Sequence, residues 1–171
     1  MNRKWTTLVL IGLATTIIQV FIANAINFYG LLNPKIFPVF LLLMPRDIRP
    51  VYSMLIGFVY GAIIDLLCNT YGFGIAASVF ICFIKPYILH FIYNKSVEEE
   101  SEISVKIQGE NFVFTYLLMG LFLFHLFYFF TELGELANVF YVLLKTVLSS
   151  ILALMLYVIF YMLFFSIPKK K

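Results

Sequence analysis

Asp65, Lys85 and Lys145 stand inside stretches of sequence that are otherwise apolar. An ionised side chain at the centre of a membrane helix costs about 2.5–3.5 kcal/mol on insertion scales, so such residues face the protein interior or a partner. Lysine can stretch its stem to the interface. Aspartate is too short for that, which makes Asp65 the sharpest of the three signals. It also completes a stripe. Gly57, Gly61 and Asp65 are spaced i, i+4, i+8 and share one helical face. Glycines four apart let a second helix approach closely, and helix association in lipid depends on such packing. The acid is therefore expected to face another helix. Two sets of partners are open to it. One is Lys145, whose stem reaches the same depth, with His125 in a shared polar cluster; Lys85 matches Asp65 poorly in depth. The other is the backbone amides of the turn "NTYG" that follows.

Other chemistry is hard to build from this chain. His90 and His125 fall near opposite membrane faces and cannot share a metal, and Cys68 and Cys82 lack metal-ligand spacing. No GxGxxG, Walker loop, HExxH or GxSxG is present. The run "TYLLMGLFLFHLFYFFTELG" reads as packing and lipid-facing surface, with a groove for a partner's membrane helix as the alternative. No catalytic pair at a common depth can be named, and no cofactor or nucleic-acid partner is expected. The 94–110 loop reads as solvated, with docking of a cytoplasmic partner as the alternative.

The elements that must position these residues follow from composition. Of 171 residues 63% are hydrophobic and 12% charged, where soluble domains carry about a quarter charged. The mean hydropathy is +0.98. An all-α membrane protein is the expected class. Hydrocarbon about 30 Å thick needs roughly 20 apolar residues per helix. Six such segments are expected, at about 5–27, 34–44, 51–68, 73–93, 111–131 and 138–165. The second is short and bounded by Pro34 and Pro45, hence a kinked span or a re-entrant piece. Lys and Arg favour the cytoplasmic side. With both termini inside, Arg3, Lys4, Arg46, Arg49, Lys95, Lys106 and the lysine tail all fall inside. The connections 28–33, 69–72 and 131–138 hold none. Five crossings would put "PRDIRP" or the tail on the wrong side. Trp5, Tyr93, Tyr157 and Tyr161 fit interfacial belts. "ANA" (Ala23–Ala25) resembles a signal cleavage site, but the run before it is longer than a usual signal core, and an uncleaved helix is favoured.

The block "GFVYGAIIDLLCNTYGFG", preceded by "NPKIFPVFLLLMP", resembles the MreD family of rod shape-determining proteins. The matching residues are Gly57, Phe58, Gly61, Asp65, Leu66 and Gly74, and the likeness covers roughly residues 30–90. It implies a non-enzymatic component of the bacterial inner membrane that supports peptidoglycan synthesis during elongation. Family partners are the single-span protein MreC, the actin-like MreB, the glycosyltransferase RodA and its transpeptidase. The family fold is similar to the six-helix substrate-binding subunits of energy-coupling-factor transporters. Gly57, Gly61, Leu66 and Gly74 would then serve helix packing or a partner, Asp65 would hold the outer end of its helix in register or bond a partner, and Arg46 and Arg49 would anchor the inner turn at anionic lipid or a cytoplasmic partner. A vitamin-type transporter subunit is the rival, with Asp65, His125 and Lys145 lining an outer pocket. The first helix lacks the AxxxA pattern such subunits often carry.

Overall fold

The computed structural model of the chain describes residues 3–26, 30–92, 103, 108–134 and 139–165. The helices among them are α1 (Arg3–Phe21), α2 (Pro38–Leu43), α3 (Pro50–Cys68), α4 (Phe73–Ile92), α5 (Glu110–Leu133) and α6 (Val139–Phe165), with a 3-10 turn at Ala23–Ala25. Five of these stretches are long and apolar enough to cross a membrane, the exception being α2. The chain has the make-up of a multi-pass, all-helical membrane protein. Lys95, Lys106, Tyr93, most of the 94–110 loop and the lysine tail lie outside the described residues.

Local chemistry sets the ends of the helices. Proline opens α3 at Pro50, where a missing N–H leaves no hydrogen bond unmade. The helix stops at Asn69, which is left-handed at φ 55° and bonds back to the Asp65 carbonyl. Gly134 ends α5 in the same way at φ 62°, its N–H bonded to Phe130 O at 3.2 Å.

The second expected segment is short and broken, as its prolines suggest. Pro38 starts α2, and Met44, before Pro45, is extended with ψ 144°, as a residue preceding proline prefers. Six residues make a helix about 9 Å long, far short of a bilayer. Residues 33–36 before it are not helical. Among the described residues this broken segment is deeply buried. Ile36, Phe37, Val39, Leu41, Leu42 and Met44 are all at or below 1% exposure.

Around it the long helices form an arc. α3 packs along α4, α4 along α5 and α5 along α6, while α1 closes on α2 and α3. α2 lies inside, against α1, α4 and α5. Phe37 meets the rings of Tyr60 and Phe124 edge-on, with centroids 5.9 and 5.3 Å away. Leu42 fills the space above Gly120, where an added Cβ would come within 2.6 Å of it. The Tyr60 hydroxyl ties α3 to α1 through Gly12 O (3.1 Å), Thr15 Oγ1 (3.1 Å) and Thr16 Oγ1 (2.9 Å). Large apolar side chains such as Leu13, Phe58, Phe91 and Phe140 face outward, as lipid contact demands. Phe124 and Phe129 of the aromatic run are fully buried, so part of that run is core. Tyr157, expected in an interfacial belt, is also buried, beside Tyr161.

Candidate functional site

Two polar assemblies organise the bundle. The first joins α3 to α4. A Cβ on Gly57 would lie 2.9 Å from the Ser78 carbonyl oxygen, and one on Gly61 would lie 2.8 Å from Ile75 Cα. Both contacts are with backbone, which cannot swing aside. The glycine stripe thus sets how closely the two helices approach. Asp65, at the end of the stripe, is 8% exposed. Its carboxylate accepts from Gly74 N at 3.0 Å, from Ile75 N at 2.8 Å and from the Thr70 hydroxyl. The first turn of a helix has four N–H groups with no intrahelical partner, and in a membrane water does not serve them. Asp65 caps the first turn of α4 from the neighbouring helix, and a negative charge there also suits the helix dipole. A Cβ on Gly74 would run into this carboxylate, so Gly74 completes the joint.

The pairing of Asp65 with Lys145 is not formed. Lys145 Nζ instead bonds Glu132 Oε2 at 3.0 Å and lies 4.4 Å from the Phe129 ring centroid. Glu132 is closer along the α5–α6 hairpin, and α4's free amides already fill the acceptor positions of Asp65. The amides are those of residues 74 and 75 rather than those of "NTYG"; that turn contributes the Thr70 hydroxyl. Leu66 does not pack inside the bundle. It is 84% exposed and points away from α4.

The second assembly holds segment 33–44. An unwound chain at membrane depth must find all its hydrogen bonds within the protein. Here each comes from a different helix. Ile36 N donates to Gln19 Oε1 of α1 at 2.8 Å, Lys35 N to His125 Nε2 of α5 at 2.9 Å, and Asn33 N to Ser149 Oγ of α6 at 3.1 Å. Because His125 accepts through Nε2, its proton sits on Nδ1 and goes to Leu121 O at 2.8 Å. At the other end, Tyr116 donates to Leu42 O at 2.8 Å, and Lys85 Nζ to Leu41 O at 3.2 Å and Met44 O at 2.5 Å. Lys85 thus places its charge on the last carbonyls of α2, where a cation is favoured. The bonds at His125 and Tyr116 are nine residues apart on α5, about 13 Å along its axis. The segment therefore runs lengthwise through the bundle.

The expected polar cluster is thus divided. His125 and Lys85 both serve segment 33–44, at opposite ends, and Lys145 serves the α5–α6 hairpin. Arg49 is exposed just before α3, and Arg46 is half-buried in the same turn. His90 is exposed. Among the described residues no three His, Cys, Asp or Glu side chains come together as metal ligands.

Sequence reasoning missed Gln19, Lys35, Tyr116, Glu132 and Ser149. Gln19 carried a usable signal, since it is an amide in the middle of an apolar run. Lys35, just beyond the 28–33 connection, is 2% exposed. An apolar groove opens between α5 and α6, lined by Leu118, Met119, Phe122, Val147 and Ile151. The chain matches no known family model, no curated protein and no solved structure.

Proposed function

We propose that this chain is a non-enzymatic membrane adaptor of the bacterial inner membrane, working as MreD does in the elongation complex. One observation carries the reading. The residues of the block that resembles MreD act as a unit: Gly57, Gly61, Asp65 and Gly74 together join α3 to α4. A motif whose glycines and acid fix a helix pair suits a protein whose task is to present a rigid surface. On that surface Leu66 and Tyr71 are 84% and 89% exposed, and they are the contact points offered to a single-span partner similar to MreC. Arg46 and Arg49 in the turn before α3 suit anionic lipid on the opposite side.

The proposal includes six crossings, with segment 33–44 as the second. Its lengthwise course from His125 to Tyr116 supports this, as does the alternation of Lys and Arg among the connections. Both termini are then cytoplasmic, and Asp65 lies near the outer face.

Co-purification tests the functional half. The tagged chain, expressed with the MreC-like single-span protein of its own host and extracted in mild detergent, should retain that protein. Leu66→Ala should weaken that retention while the chain itself stays folded, because the side chain is 84% exposed. A chain that retains no such partner but binds a vitamin saturably would contradict the adaptor reading.

A further inference from the structure

The seam between α5 and α6 is not closed on its outward side. Leu118, Met119 and Phe122 of α5 face Val147 and Ile151 of α6 across an open volume of about 360 Å³. Val147 and Ile151 are 41% and 46% exposed, while Ser150 is buried at the floor. The small serine leaves the gap. Its hydroxyl is turned inward, donating to Thr146 O of its own helix at 2.6 Å, with Leu121 O of α5 at 3.4 Å. None of the lining side chains is charged, and Thr115, at one end, is the other hydroxyl.

An unfilled gap at membrane depth forfeits the dispersion contacts of its lining. Water is a poor filler, because the Ser150 proton is spent and a held water needs two to four polar partners. Two apolar occupants remain, a lipid chain and a partner's helix, and size separates them. From Thr115 to Phe122 the groove follows seven residues of α5, about 10 Å of its length. A helix is 10–12 Å across with its side chains, so the same length of it needs roughly 800–1,100 Å³. It would bridge the mouth and leave the groove empty. A flexible hydrocarbon chain lying along the seam fills it.

We propose that the α5–α6 seam holds one acyl chain of a membrane phospholipid as a resident part of the fold. The uncharged lining recognises hydrocarbon and leaves the headgroup unread. The groove starts five residues into α5 from Glu110 and ends twelve residues in, about 8 to 18 Å along the helix. Its lipid therefore comes from the leaflet on the Glu110 side. The site goes beyond the adaptor reading and does not depend on it.

The test uses the full chain, purified in mild detergent and washed free of loose lipid, with bound phospholipid counted by native mass spectrometry. The wild type should keep about one phospholipid per chain, its headgroups in the proportions of the source membrane. Val147→Phe puts a larger side chain into the groove and should cut the retained lipid roughly fivefold or more, with the helical content unchanged by circular dichroism. Val59→Phe, on the 57% exposed position of α3, should keep the wild-type amount. A wild type that carries no lipid overturns the proposal, whether its groove is then empty or covered by a partner. Equal retention in Val147→Phe and Val59→Phe also overturns it, since the lipid is then bound elsewhere on the surface. Retention of one headgroup alone does the same, because it requires a charge that this lining lacks. Should Val147→Phe not fold, Ile151→Phe decides.

Discussion

Replacing Lys85 with methionine should cost about 3 kcal/mol of stability, measured by reversible unfolding in mixed detergent and sodium dodecyl sulfate. Methionine keeps the volume of the stem and removes the expensive charge. It also leaves Leu41 O and Met44 O bare. These are carbonyls at the end of α2, and six residues of helix provide no other donor for them. A hydrogen bond to a charged group is worth about 1.5–3 kcal/mol net, and here two are lost at a fully buried place. Lys145→Met is the internal comparison. Its partner Glu132 is 26% exposed on its side chain, so water takes over part of the lost bond and the cost should stay near 1 kcal/mol. Equal losses from the two variants would mean that Lys85 is not what holds α2.

Asp65→Ala should be of similar size, again about 3 kcal/mol. It strips the first turn of α4 of an acceptor for two N–H groups and takes the carboxylate away from the Thr70 hydroxyl. Loss of an N-cap in soluble helices costs roughly 0.5–2 kcal/mol; here the cap is charged and no water replaces it. Asp65→Asn keeps one acceptor oxygen and should lose about half as much. A double-mutant cycle of Asp65→Asn with Lys145→Met should be additive within about 0.5 kcal/mol, because the two residues share no partner. The charge swap Asp65→Lys with Lys145→Asp should accordingly rescue nothing. A coupling of 1 kcal/mol or more would restore the pair that sequence depth alone suggested.

Much of this architecture was legible before any coordinates. Helix spacing put Gly57, Gly61 and Asp65 on one face, and that face meets α4. Four of the five long helices fall within about two residues of the expected ends, because apolar length in a membrane is a strong constraint. The partner of Asp65 was less legible. Depth matching looks for an opposite charge, whereas the carboxylate found backbone amides, which carry no signature in sequence. Prolines 34, 38 and 45 announced an interruption but not its content. That residues 33–44 would be the core, held by Gln19, His125, Ser149, Lys85 and Tyr116, depends on contacts up to 116 residues apart in the chain. Periodicity within one element cannot report those. The burial of Lys35 went unseen for the same reason, since α5 holds it through His125 and its neighbours in sequence do not announce it.

Everything assigned to an outer or inner face rests on segment 33–44 crossing the membrane. Thiol labelling of intact cells with a membrane-impermeant maleimide decides it, in a background lacking Cys68 and Cys82. Asp47→Cys and Tyr71→Cys are the reporters, since both positions are exposed and lie at opposite ends of α3. Six crossings predict that Tyr71→Cys is labelled from outside and Asp47→Cys only after the cells are opened. A segment that turns back would give the reverse, with Asp47→Cys labelled in intact cells and Tyr71→Cys protected, and would contradict the account.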